Sequence, residues 1–255
     1  NNAYSTNPAL GVRVNMQTVT DEKNSMSPEA FCRERLGQWL SKNKTGPFPP
    51  GTWENGMDAK SVIVDGSPLF WSVEVSVNRA TSHIIVAGFR DDGLPHVEVV
   101  ATRAGVEWLP GWFADRVEDY GGMTVVVQKN GAPASGLIPD LQTVEGVTVH
   151  EWAGGELGAW TGKFFDLVAK SKKPVDGGVR TGIAHLPQPV LDLAAVNAVI
   201  VYLAGGAPMV DRKKGSGDVT PLVGAVAAVG KLLEREDRQQ KSVYEQDDVT
   251  AVVLA

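Results

Sequence analysis

The fold is decided by a short apolar stretch at residues 69–77, which reads LFWSVEVSV. Side chains alternate between the two faces of a β-strand, so Ser72, Glu74 and Ser76 share one face and the valines share the other. A carboxylate at the centre of a buried strand is rare unless it is paired or binds a cation. A surface or edge strand would also explain Glu74, and the alternation alone is compatible with both interpretations.

Two more strand-like runs follow at once, at residues 83–89 and 96–101. The connections between the three runs are short and rich in turn-forming residues, which predicts an antiparallel meander. The hydrophobic period then changes, and helices alternate with buried strands. The later segments are predicted as helix 106–120, strand 123–127, helix 134–141, strand 147–150, helix 157–170 and helix 221–234. Three antiparallel strands followed by two parallel strands with flanking helices is the order of a ribonuclease H-like α/β sheet.

The first part of the chain differs from the rest. Residues 46–51 read GPFPPG, which is hard to continue as helix or strand. Before it, Ser27 and Pro28 resemble a helix start, with a short amphipathic helix over residues 30–40. We therefore expect residues 1–66 to form a linker or arm that packs on a main domain at 67–255. The start at Asn1 without a methionine also suggests a segment of a longer protein.

Composition limits the possible partners. The 255 residues are enough for one domain with a sizeable core, and the single cysteine, Cys32, favours a reducing compartment. No apolar stretch approaches the roughly 20 residues that a membrane-spanning helix needs, so no membrane partner is expected. The net charge of −6 argues against a generally basic nucleic-acid binder. A polyanion would therefore have to meet a local basic patch or a bound cation.

A second acid stands out at Asp218, in the segment GSGDVTPL at residues 215–222. An aspartate just before a helix is commonly a cap, and Thr220 with Pro221 would suit a helix start. In the predicted fold order, however, Glu74 on the first strand and Asp218 at the last helix are two corners of a carboxylate cluster. Such clusters hold Mg²⁺ or Mn²⁺ through oxygen ligands and serve phosphodiester hydrolysis.

Five parts of the sequence, taken in order, carry a resemblance to a known family. They are NPALG at 7–11 with SPEAF at 27–31 and RERLGQW at 33–39, SVEVSVNR at 72–79, VVVQKNGAPAS at 125–135, KFFD at 163–166, and GDVTPL at 217–222. Together they resemble the C-terminal nuclease domain of the large terminase subunit of tailed phages, in the form found in phages of actinobacteria. Residues 1–66 resemble the connection between the ATPase and nuclease domains of that family.

The resemblance implies a metal-dependent endonuclease that cuts concatemeric double-stranded DNA during phage packaging in the host cytoplasm. It implies a two-metal site for Mg²⁺ or Mn²⁺, with Glu74, Gln128 and Asp218 at the catalytic corners. It also implies four partners: phage DNA, the portal protein, the small terminase subunit, and the ATPase domain of the same full-length chain.

This sequence departs from the family pattern at two of the three corners. The family usually has aspartate where this chain has Glu74, and a longer carboxylate can still reach a metal. It usually has an acid where this chain has Gln128, whose neutral carbonyl oxygen would bind a second cation more weakly. Gln128 is compatible with a weak or inactive nuclease, or with a residue introduced to block cleavage. A ribonuclease H-like module that binds DNA or packaging partners without cutting is therefore the competing hypothesis.

Other side chains could assist the site. Glu151 and Asp211 are candidate auxiliary acids, and His185 resembles a position near the active face of the family. DNA contact is predicted for two basic clusters and one further lysine, which are Lys172 and Lys173, Arg212 with Lys213 and Lys214, and Lys129. Binding through these groups would be salt-sensitive and independent of sequence, although solvated loops are an equally ordinary explanation.

Several other chemistries find little support. The segment GAWTGKF at 158–164 lacks the spacing of a phosphate-binding loop, so ATP hydrolysis is not expected. The segment APASG at 132–136 lacks the first glycine of a nucleophile elbow. A single cysteine excludes a cysteine-based zinc site. A glycosidase that uses Glu74 and Asp218 as its carboxylate pair remains a weaker alternative.

Overall fold

The computed structural model describes residues 46–174 and 178–247, with side chains described as far as 236. The described residues fall in one compact unit that begins at Thr45. The helix predicted over residues 30–40 and the other features predicted before residue 46 lie outside the described residues.

A six-stranded mixed sheet forms the centre of this unit. Its strands are β1 (Phe70–Val75), β2 (Thr81–Phe89), β3 (Pro95–Ala104), β4 (Met123–Gln128), β5 (Val147–Trp152) and β6 (Ala184–His185). The strand order is β5-β4-β1-β2-β3-β6. β1, β2 and β3 form an antiparallel meander, and β4 and β5 extend the sheet in parallel with β1. The predicted ribonuclease H-like arrangement is confirmed, with β6 as an additional short strand parallel to β3.

Six helices and one small hairpin complete the fold of the described residues. The helices are α1 (Thr52–Gly56), α2 (Leu109–Ala114), α3 (Ile138–Gln142), α4 (Gly154–Ala169), α5 (Pro189–Asn197) and α6 (Thr220–Asp247). The hairpin pairs β7 (Ile200–Tyr202) with β8 (Pro208–Val210). A 3₁₀ turn at Pro133–Leu137 precedes α3, where the sequence pattern predicted one α-helix. Among these helices, none is long and apolar enough to cross a membrane.

The helix predicted over 106–120 is wrong in its extent, because α2 covers only Leu109–Ala114. The segment after α2 is a series of turns that ends at Gly121 and Gly122, both with positive φ. Glycine adopts this backbone conformation without the steric cost that other residues incur. The apolar side chains of the segment still pack against the sheet, which explains why their spacing resembled a longer helix.

The sheet separates two hydrophobic cores. One core lies between the sheet and the helices α4, α5 and α6, and it includes Phe48 and Trp53 from the segment before β1. The other lies under α2 and α3 and receives Val73 and Val75 from β1. Residues 46–66 thus contribute to the core on the side of α4, α5 and α6. The role of residues 1–66 as a connection to another domain stays a prediction.

α6 lies unusually close to the centre of the sheet. Ser72 Oγ donates a hydrogen bond of 2.8 Å to the carbonyl oxygen of Gly224 in α6. A Cβ atom at Gly224 would lie only 2.5 Å from Cδ1 of Ile85, so the close approach requires glycine at this position. The face of β1 that carries Ser72 and Glu74 is therefore covered by α6, and Glu74 lies beneath the start of that helix.

Candidate functional site

Glu74 belongs to a row of polar side chains that crosses the sheet near the carboxyl end of β1. Its partner on β2 is His83. On the other side, β1 pairs with β4 in parallel. When the register of this pair is extended by two residues, Gln128 aligns with Glu74. Gln128 pairs in turn with Trp152 on β5. Because side chains alternate along each strand, all four residues point to the face that α6 covers.

Glu74 is almost completely buried, with 1% of its surface exposed. Its carboxylate is held by Arg212, whose Nε donates to Oε2 at 3.0 Å and whose Nη2 donates to Oε1 at 2.6 Å. Burial raises the pKa of Glu74, whereas the charge and hydrogen bonds of Arg212 oppose that rise. A bidentate guanidinium–carboxylate pair is the geometry in which a buried charge is best compensated.

Asp218 reaches the same row from the segment before α6. Its Oδ2 lies 3.0 Å from Nε2 of His83, and its Oδ1 accepts hydrogen bonds from the backbone N–H and the hydroxyl of Thr220. Nδ1 of His83 lies 3.0 Å from the hydroxyl of Thr102. Partial burial acts to raise the pKa of Asp218, but the bonds from His83 and Thr220 together lower it below its usual value. Asp218 is therefore oriented by the helix start on one side and by His83 on the other.

Glu74 and Asp218 are close enough for their charges to interact. The charge of Asp218 contributes to raising the pKa of Glu74, and His83 contributes in the opposite direction. The structure therefore brings together the two acids that the sequence placed 144 positions apart, from Glu74 to Asp218.

Gln128 stands at the third corner with one polar atom unpaired. Its Nε2 donates to the backbone oxygen of Asn130 at 2.8 Å. Its Oε1 is buried and has no hydrogen-bond partner among the described residues, and the same holds for Nε1 of Trp152. The guanidinium carbon of Arg212 lies 5.9 Å from the centre of the Trp152 ring. The space around Gln128 and Arg212 thus contains buried polar atoms that a polar ligand could satisfy.

Two open clefts give solvent access to this site. One, of about 290 Å³, is lined by Ser76, Val77, Asn78, Arg212, Gly217 and Asp218. The other, of about 430 Å³, is lined in part by Gly131, Ala132, Pro133, Arg212 and Lys213. Arg212 borders both clefts, and its side chain is 13% exposed. A ligand in either cleft would therefore meet the guanidinium of Arg212.

The other predicted residues occupy varied positions. Asp211 Oδ1 accepts hydrogen bonds from the backbone N–H groups of Lys213 and Lys214, so this carboxylate folds back on its own loop. Lys129 and Glu151 form an ion pair of 3.2 Å near the ends of β4 and β5. Lys172 and Lys173 are exposed in the segment after α4. Asp211 and Glu151 are thus already engaged with neighbouring groups.

His185 lies in a separate cluster. It is fully buried on β6, its ring stacks on Trp53 with 4.1 Å between centroids, and Nε2 lies 3.0 Å from the backbone oxygen of Trp53. Nδ1 lies 3.1 Å from the backbone oxygen of Leu186. Trp53 Nε1 donates to Asp192 at 2.9 Å. Burial lowers the pKa of His185 despite these neighbouring oxygens, and burial also raises the pKa of Asp192. These contacts fix α1 to β6 and α5.

The sequence did not single out His83, which orients Asp218. The signal that could have found it is the hairpin register, since a short turn between β1 and β2 brings the start of β2 opposite Glu74. Arg212 was predicted to contact DNA, and the structure shows it bound to Glu74. The need of a buried carboxylate for a cationic partner was visible, but the identity of that partner was not.

The capacity of this site for metal ions is limited by charge. Glu74 and Asp218 offer carboxylate oxygens and Gln128 offers a neutral carbonyl. Within residues 46–174 and 178–236, no group of three or more His, Cys, Asp or Glu side chains is placed to hold a metal ion. Two carboxylates and one neutral oxygen are ligand types that suit a divalent ion, and the two-metal site that the resemblance implied stays a prediction.

Comparison with solved structures finds phage large terminases. The HK97 bacteriophage large terminase has a TM-score of 0.53 and 17% sequence identity, covering 90% of this chain and 53% of that chain. The large terminase nuclease from thermophilic phage G20c, with bound magnesium, gives a TM-score of 0.46 and 15% identity, covering 70% of this chain and 96% of that chain. No protein-family model and no curated protein matches the sequence.

The HK97 comparison shows a shared fold. The described domain has the ribonuclease H-like fold found in that large terminase, so the resemblance seen in the sequence is confirmed at the level of fold. The chain spans about half the length of the HK97 protein.

Proposed function

We propose that this chain is the nuclease domain of a phage DNA-packaging terminase and cuts double-stranded DNA with the help of a divalent ion. The observation that carries the proposal is the convergence of buried Glu74 and oriented Asp218 at the end of β1, beside an open cleft. Two neighbouring acids beside an open cleft are the usual means of binding a hard cation next to a phosphodiester.

In this proposal, Glu74 and Asp218 hold the ion through their carboxylate oxygens. When bound, a divalent ion supplies positive charge that stabilises a reacting phosphate and lowers the pKa of bound water. His83 and Thr220 keep Asp218 in place, and their hydrogen bonds hold it in the ionised form that binds a cation. The amide of Gln128 contributes a neutral oxygen at the third corner, which weakens the site without closing it.

The basic residues around the site would bind the DNA backbone. Lys213 and Lys214 follow Arg212 in the loop that leads to Asp218, so they can meet phosphates that approach the cleft. We assign Lys129, Lys172 and Lys173 a supporting electrostatic role. Contacts of this kind are independent of base sequence and weaken as salt concentration rises.

The proposed setting is the packaging machinery in the host cytoplasm. The chain would act as part of a longer protein with an ATPase domain, on phage DNA delivered at the portal with the small terminase subunit. Two observations support this setting: the fold shared with the HK97 large terminase, and the sequence segments that resemble terminases.

A second candidate is a ribonuclease H-like module that binds DNA or packaging partners without cutting. Two observations favour it, namely the neutral Gln128 and the ion pair in which Arg212 takes both oxygens of Glu74. With the charges of Glu74 and Arg212 cancelling, the site carries the net charge of Asp218 alone, which attracts a dication weakly.

A plasmid-nicking assay in Mn²⁺ distinguishes these functions. We expect slow nicking by the parent chain, no nicking by Glu74→Gln, and nicking at least about tenfold faster by Gln128→Asp, because a third carboxylate increases cation affinity. Nicking by Gln128→Asp with none by the parent would support the non-cutting module. Nicking that persists in Glu74→Gln, or that needs no divalent ion, would contradict the proposed nuclease.

A further inference from the structure

The guanidinium of Arg212 occupies the position that a cation bound by Glu74 would need. Each oxygen of the carboxylate accepts one of its N–H groups, at 2.6 and 3.0 Å. Glu74 is 1% exposed, so the carboxylate has little free surface through which a second positive group could approach. A guanidinium and a divalent ion in contact with the same two oxygens would also repel each other strongly at such short range.

The Arg212 side chain lies next to open space that it could occupy after leaving Glu74. It lies in the loop between β8 and α6, and it borders both open clefts. The pairing with Glu74 uses two of the five N–H donors that a guanidinium carries. Its guanidinium carbon lies over the Trp152 ring, 5.9 Å from the ring centre, and this proximity does not depend on Glu74. Rotation of the side chain into a cleft would therefore keep it near an aromatic surface and expose its donors to a phosphate.

The main chain around this loop is anchored on both sides of Arg212. The backbone N–H of Asp211 bonds to the oxygen of Val199, and the Asp211 carboxylate holds the N–H groups of Lys213 and Lys214. The Arg212 side chain can thus exchange partners without unfolding the loop.

We infer that Arg212 is a built-in competitor for the divalent ion, so that the ion binds Glu74 only when the guanidinium leaves it. This inference rests on the proposed function for the identity of the site. It adds a regulatory step, in which the guanidinium of Arg212 prevents the divalent ion from binding Glu74. A phosphate backbone in the cleft offers the guanidinium a second bidentate partner, which would couple ion binding to the arrival of DNA.

The test is a Mn²⁺ titration followed by electron paramagnetic resonance on the whole chain without DNA. We expect Arg212→Met to bind Mn²⁺ at least about tenfold more tightly than the parent, because one opposing charge is removed at contact distance. The matched control is Arg103→Met. Arg103 is exposed and lies over the Trp108 ring at 5.0 Å, so this variant makes the same charge change at another tryptophan. We expect its Mn²⁺ affinity to equal that of the parent.

A double-variant cycle locates the effect on Glu74. The gain in affinity from Arg212→Met should disappear in the Glu74→Gln background. Equal Mn²⁺ affinity in the parent and Arg212→Met, or an equal gain in Arg103→Met, would overturn the inference. So would a gain that survives Glu74→Gln.

Arg212→Met leaves Glu74 without a partner and so has reduced stability. If it does not fold, Arg212→Lys replaces the fork with a single ammonium, and we expect a smaller gain of about threefold or more. An unchanged affinity in Arg212→Lys then contradicts the inference. These results are independent of DNA cleavage, since a chain that binds Mn²⁺ as expected and fails to nick DNA contradicts only the proposed function.

Discussion

Glu74 and His185 are both buried ionisable residues on strands of the same sheet, yet their surroundings differ in kind. Glu74 meets a long cationic side chain that borders open clefts, and Asp218 acts on it through charge. His185 is enclosed between Trp53 and backbone oxygens, and its neighbour Asp192 is already bonded to Trp53. The group that compensates Glu74 borders two open clefts, whereas the His185 cluster is enclosed by the packing of α1 and α5.

This difference shows why burial of a charged group is a poor guide to function by itself. In both clusters burial is the largest influence on the pKa. What separates them is whether the group that compensates the buried charge borders an open cleft, as Arg212 does. We therefore propose that the Glu74 cluster carries the chemistry and that the His185 cluster supports the structure.

The largest expected effect distinguishes the acids of the two clusters. Asp218→Asn should lower Mn²⁺-dependent nicking by about 100-fold or more, because a neutral amide retains the shape of the side chain and loses the charge that binds a cation. Asp192→Asn makes the same chemical change in the His185 cluster, and we expect nicking within about threefold of the parent. The plasmid assay measures both. Similar losses in the two variants would mean that the comparison between the clusters is wrong.

A smaller effect should appear in the pH dependence of stability. The pKa of His185 is lowered in the folded chain, so the unfolded chain takes up a proton first as the pH falls below about 6.5. The contribution of His185 is fully present above that pH and is lost as the pH falls towards its folded pKa. Urea unfolding at pH 7.5 and pH 5.5 should therefore show a smaller loss of stability in His185→Gln than in the parent. An identical loss in the two proteins would contradict the burial of a neutral His185.

The sequence predicted the elements whose patterns are local. Alternation in residues 70–77 located β1 and put Glu74 on the face of Ser72, and the short turns predicted the meander. β6 was missed because two residues are too few to show a period. The helix predicted after Gly105 was too long, because apolar residues in a series of turns pack as a helix face would.

The sequence predicted the acids of the site and missed the residues that hold them. Glu74 and Asp218 are conspicuous by type and position. Their partners depend on contacts between distant segments, since Arg212 bonds to a residue 138 positions away and His83 to one 135 positions away. No local pattern specifies which cation compensates a buried acid. The choice follows from how α6 packs on the sheet and how the β7–β8 hairpin packs on α4.

The most direct test of the central claim is an anomalous difference map from a crystal of this chain soaked in Mn²⁺. We expect one peak bonded to carboxylate oxygens of both Glu74 and Asp218, with the Arg212 side chain turned away from Glu74. A map without a peak at these acids, or with a peak while Arg212 remains bonded to both oxygens of Glu74, would contradict the claim.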